Sequence, residues 1–222
     1  MKLSEIFSQL TYGELSQLSL GGADVGEIDS NNYPKILSHV NMGLLALYAR
    51  FPLKEGRVIV PLQVGKTTYL LDPNEVLKVE RVYTATGWEM GLNDESDPFA
   101  CFTPSLHTLR VSAAVTAGSG EIPDYLKTSS LEVVYRAKHP ALTVDAGFDP
   151  ELVEVTLPYS HLEALLLYVA SRVNNPIGMS NEFHAGNSYA AKFESACQQL
   201  ELQNLRVDQG AQNTRLERAG WA

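Results

Sequence analysis

The sequence predicts an α+β protein, a helical bundle with an inserted, mostly antiparallel β domain. Three observations carry that expectation. Tyr33, Ile36, Leu37, Val40, Leu44, Leu47 and Tyr48 recur at three- and four-residue spacing, the period of one face of an α-helix. From Arg57 to Ala137 the pattern becomes short β-branched and aromatic runs punctuated by Gly, Pro, Asn and Asp, as strands and turns require. Helical spacing then returns at Leu162, Leu165, Leu166, Val169 and Val173. The expected division is a bundle from 1–53 and 156–207, a β domain over 54–155, and an extended tail over 208–222.

Each element has a local reason. Leu3, Phe7 and Leu10 share one helical face, and Thr11 to Glu14 has the Ser/Thr-x-x-Glu spacing of a capping box that would restart a helix. Gly21-Gly22 would end it, and 23–32 is a polar link. Asn31 or Asn32 would cap the second helix, with Pro34 in its first turn and Pro52 after its end. Strands are expected at Arg57–Leu62, Thr67–Leu71, Val76–Tyr83, Leu106–Val115 and Leu131–Ala137, with Val64-Gly65-Lys66 as a hairpin turn and 86–105 as a long loop. The helix after Leu157-Pro158 is apolar around most of its girth, so it must be buried among other elements. Asn174-Asn175-Pro176-Ile177-Gly178 makes a corner, and Ser180 or Asn181 caps a last long helix with Tyr189, Phe193, Ala196 and Leu200 on its buried stripe.

Composition narrows the function. The 222 residues carry 45% hydrophobic and 19% charged side chains, an ordinary globular balance. A formal net charge of -9 argues against holding nucleic acid through basic contacts, which need Lys and Arg to displace counterions. Cys101 and Cys197 form no CxxC pair and suit a reducing compartment. The first residues are not a signal peptide, and no apolar run is long enough for a membrane span, so no membrane role is expected.

Candidate chemistry is thin. "VGKTT" (Val64–Thr68) is part of a phosphate-loop motif, but Val60 stands where its first glycine belongs and a strand pattern follows. Glu182 and His184 could converge in the turn before the last helix; their plainer role is to support that corner, with Asn187. Cys197 falls on an apolar helix face, where a core thiol is the default. The tail places Trp221 after Arg215 and Arg218. Trp and Arg are the residue types enriched at interface anchors, so docking on a neighbouring subunit is expected there.

The order helix, β insertion, helix resembles the head-to-tail adaptor (connector) proteins of tailed bacteriophages. Three pieces carry the likeness: "GLLALYARFPLKEGRVIVPL", Tyr69-Leu70-Leu71, and "LPYSHLEALLLYVASRVNNPIG" followed by "EFHAGNSYAAKFESACQQLELQNLR". The resemblance implies a structural virion protein at the head-tail junction, made in the host cytoplasm. It would be a homo-oligomeric ring, usually of twelve copies, below the portal protein. The genomic DNA would pass through its lumen unbound, and a tail or nozzle protein would dock beneath. No catalytic residue, cofactor or metal is expected. Assembly residues would be Arg215, Arg218 and Trp221 in the tail, with Asp94, Asp97 and Phe99 in a loop facing the next component. Two other classes stay open on the residues alone: a small hydrolase using Glu182 and His184, and a monomeric binding module using the β insertion.

Overall fold

The computed structural model describes residues 1–16, 28–117, 122–174 and 180–203, with the backbone alone over 180–185. Its helices are α1 (Leu3–Tyr12), α2 (Tyr33–Arg50), the short α3 (Ala113–Ala117), α4 (Leu162–Val173) and α5 (Ser180–Leu202). Its strands are β1 (Glu55–Pro61), β2 (Thr68–Leu70), β3 (Val76–Thr84), β4 (Glu89–Met90), β5 (Phe102–Ser105), β6 (Thr108–Arg110) and β7 (Ser130–Ala137). The fold is α+β. Residues 54–140 form one unit, and 1–53 with the described residues from 141 onward form the other.

In the helical unit, α1 buries Leu3, Ile6, Phe7 and Leu10, and α2 buries Ile36, Leu37, Val40, Leu44, Leu47 and Tyr48. α4 buries Ala164, Leu165, Leu166, Leu167, Val169, Ala170, Ser171 and Val173 and leaves Glu163 and Arg172 exposed. α1, α2 and α5 all pack on α4. α2 comes closest at Gly43, where a Cβ would stand 2.7 Å from Leu165 Cδ1 and 3.0 Å from the Tyr168 ring. Phe51 meets the edge of the buried His161 ring, centroid to centroid 4.8 Å.

Three expectations for this unit are corrected. Thr11 opens no new helix: its hydroxyl donates back to the Phe7 and Ser8 carbonyls, and the chain turns through residues 13–16. α2 is led in by a 3-10 turn over Ser30–Asn32, so the exposed N–H groups move upstream and the capping carboxylate is Asp29, which accepts from Asn31 N at 2.9 Å. Residues 141–155, expected in the β domain, belong with the helices. Leu3 N donates to Val153 O and Ser4 N to Pro150 O, supplying acceptors for first-turn donors of α1 that have none within the helix. Asn41 exchanges two hydrogen bonds with the Leu142 backbone, and the Tyr48 hydroxyl donates to Thr156 O.

The β unit holds two sheets, four strands in the order β1-β7-β3-β4 and three in the order β2-β6-β5, with every ladder antiparallel. β7 is central and nearly continuous in burial, at Leu131, Val133, Val134, Tyr135 and Ala137. Its core joins Val60, Val76, Val79, Val82, Leu109, Leu131 and Val133. Val64–Lys66 is a turn but not a hairpin, because β1 pairs with β7 and β2 with β6. The Tyr69 hydroxyl closes that turn by accepting from Gln63 N and donating to Lys66 O. The expected strand over 106–115 stops at Arg110; Thr116 N donates to Ser112 O and the chain turns helical as α3. The expected loop over 86–105 contains β4 and β5.

Leu165 is fully buried against α2, so Leu165→Ala is expected to cost about 2–5 kcal/mol in urea unfolding. Burial holds the imidazoles of His39, His139 and His161 below the ordinary 6.5; Lys35 and Arg172 add to the effect at His39. The unfolded chain therefore binds these protons more readily, and stability falls as pH drops through 6.5 toward the folded values. Denaturation midpoints at about pH 7.5 and about pH 5.5 test this, with a shallower fall expected for His161→Gln.

Candidate assembly surfaces

Of the residues with candidate chemistry, the two cysteines and the turn before Tyr69 are part of the scaffold. Both thiols are buried, and burial pushes Cys101 up to about 12 and Cys197 up to about 11, so neither is a thiolate at neutral pH. Val64–Thr68 is flanked by strands, and Tyr69 takes up Gln63 N, so no phosphate cradle is present there. Among the described residues no group of three or more His, Cys, Asp or Glu is placed to hold a metal ion. Glu182 and His184 fall in the first turns of α5, where the side chains lie outside the described residues, while Asn187 is exposed. Among the described residues no helix is long and apolar enough to cross a membrane.

In the helical unit the main polar constellation is around Arg50, in the last turn of α2. Its Nε donates to Glu201 Oε1 at 2.9 Å and its Nη1 to Glu194 Oε2 at 2.7 Å. These two carboxylates hold the guanidinium in its charged form and raise its pKa. Both acids lie on α5, so one arginine fixes the register of α5 against α2. Phe193 reinforces it, meeting the Tyr168 ring of α4 edge-on at 5.2 Å. The sequence reading missed this. The available signal was an arginine ending an apolar helix, opposite acids two turns apart on another.

In the β unit, exposed apolar side chains gather on β1, β2 and the turns beside them. Ile59 is 71% exposed, Val64 83%, Leu70 82% and Leu106 62%, with Val58 beside them. Val58, Ile59, Tyr69 and Leu70 line a groove of about 270 Å³ that Asp72, Glu75 and Lys66 border. β1 ends its sheet and β2 ends the other, so two edge strands contribute to the lining of the groove, together with Val76 of β3 and Tyr135 of β7. The sequence offered a sign of this: Val58-Ile59-Val60 is apolar on both faces of a strand, whereas an edge strand facing water alternates.

The other expected assembly residues divide. Asp94 is exposed, and its Oδ1 accepts from Ser96 N and Oγ. Asp97 is half-buried and its Oδ1 accepts from Phe99 N at 2.9 Å. Phe99 packs against the β core, so it anchors the loop, and the loop presents Asp94 and Glu95 to solvent. Arg215, Arg218 and Trp221 lie outside the described residues, as does most of the corner at 174–178.

A family model for the SU10 adaptor protein matches residues 10–218. No curated protein matches the sequence. Among solved structures, a chain of "Neck of empty GTA particle computed with C6 symmetry" is 16% identical, over 85% of this chain and 88% of that chain, with a TM-score of 0.29.

Arg50→Ala is expected to lower stability by about 1–2 kcal/mol, because charge-assisted bonds to two part-exposed acids are lost. Arg50→Lys should recover only part, since a single ammonium does not reproduce the fork of Nε and Nη1. Urea unfolding of both variants checks this.

Proposed function

The chain belongs to the SU10 adaptor protein family, a structural head-to-tail adaptor and not an enzyme, and from that membership we propose that its copies form a ring between portal and tail. The observation that carries the reading is the extent of the match, which spans the helical residues and the β insertion together. Twelve copies is the proposed number. The genome would leave through the lumen, and a chain of net charge -9 suits that passage, because like charge keeps phosphates from sticking. The virion head-tail junction is the proposed location, with the host cytoplasm before assembly.

Closed rings need unlike patches that meet from copy to copy. Residues 208–222, with Arg215, Arg218 and Trp221, are the proposed reaching segment. The loop at Asp94, Asp97 and Phe99 is the proposed contact for a tail or nozzle protein, with Asp94 as its exposed tip and Phe99 as its root.

The test is reconstitution. Purified chain mixed with portal rings should co-sediment and appear as a second coaxial ring by electron microscopy. Failure to bind portal under any ionic condition would remove the proposal. Deleting residues 209–222 should leave the thermal transition unchanged and reduce ring formation on portal; normal assembly without them would reject the tail assignment.

A further inference from the structure

We propose that the groove between β1 and β2 receives residues 208–222 of a neighbouring copy as an added strand that bridges the two sheets. This rests on the ring reading above and names the receiving surface within it.

The ladder registers show which backbone groups are available. Leu62 N donates to Ser129 O and Ala137 N donates to Lys54 O, so the even-numbered residues of β1 exchange hydrogen bonds with β7. Glu55, Arg57 and Ile59 therefore turn their N–H and C=O groups outward. On β2, Leu71 N donates to His107 O and Val111 N to Thr67 O, which leaves Thr68 and Leu70 facing outward. Among the described residues no strand pairs with either edge. Two such edges bordering one groove form a template for an extended peptide, whose main chain would bond on both sides.

The side chains make the same demand. Ile59 and Leu70 stand in solvent at the two rims, and a contiguous apolar patch of that kind marks a binding surface. Asp72 and Glu75 add negative charge, offset in part by Lys66. Of the chain outside the described residues, 204–222 is the longest stretch. It pairs apolar Leu216 and Trp221 with Arg206, Arg215 and Arg218, against only Asp208 and Glu217, in a protein that is otherwise acidic. Fully extended it spans about 60 Å, ample to cross to an adjacent subunit. A segment leaving α5 and a groove in the β insertion are unlike patches, as a head-to-tail ring requires.

The experiment uses two full-length variants with different tags. One carries Leu70→Cys in the groove. The other carries Thr214→Cys, Leu216→Cys or Ala219→Cys in turn. The native thiols are buried and do not compete. The two are mixed, assembled on portal rings and mildly oxidised. The expected result is a disulfide-linked pair bearing both tags, about tenfold above a control with Leu152→Cys, an equally exposed leucine of the helical unit. Rings that form with no excess over that control overturn the proposal. So does a link found only within single chains when both cysteines share one polypeptide diluted in unmodified protein, which would mean that the segment folds onto its own groove. A link from Leu70→Cys to portal overturns it in favour of portal as the occupant. If no ring forms with any protein, the unmodified chain included, the ring reading itself falls, a separate result. As a second readout, Ile59→Asp with Leu70→Asp should reduce ring yield as far as tail deletion does while the thermal transition of the free chain is kept; undiminished rings would overturn the proposal.

Discussion

The helical unit is organised by the need to cover most of the girth of α4. A helix with leucine, valine and alanine around most of its girth can leave only a narrow strip in water, here at Glu163 and Arg172, so other helices must be brought to it. α2 covers one side, α1 a second and α5 a third. Because α1 and α2 precede the insertion and α4 and α5 follow it, this burial draws the two separated parts of the chain together. The 141–155 segment completes the join by supplying carbonyls to the start of α1. The Arg50 pair of salt bridges sets which turn of α5 faces α2, a role of alignment more than of bulk stability.

The β unit solves a different problem. Its central strand, β7, is buried along most of its length and has partners on both sides. The cost of that arrangement falls on the periphery. β1 and β2 each have one partner and keep large apolar side chains in solvent. Soluble proteins ordinarily blunt such edges with charge, proline or a short length. Here Arg57, Pro61 and the brevity of β2 do some of this, but Ile59 and Leu70 work against it. An edge so incompletely defended is consistent with a protein that acts by being joined to others.

Much of the architecture was legible because it depends on periodicity. α2, α4, β3 and β7 announce themselves by spacing that no tertiary contact overrides. What was not legible depended on partners distant in sequence. Residues 141–155 have no period of their own, and only their contacts with α1 reveal where they belong. The link at 64–66 has ideal turn residues, and nothing local shows that its strands enter different sheets. Capping failed for a related reason: a 3-10 turn before α2 moved the cap to Asp29, a displacement that Asn31 and Asn32 conceal. The Arg50 constellation was hidden because it joins elements far apart along the chain; the groove is bordered by consecutive strands, and what concealed it is that they enter different sheets.

The placement of β7 between β1 and β3 has a consequence for biosynthesis. β1 emerges from the ribosome among the first parts of the insertion, while the strand it must pair with is the last of those described. Throughout the intervening translation its valine- and isoleucine-rich backbone has no native mate. Pairing over such sequence distance is slow to form and exposes sticky intermediates. The four-stranded sheet therefore cannot close until Ser130–Ala137 has been released from the exit tunnel.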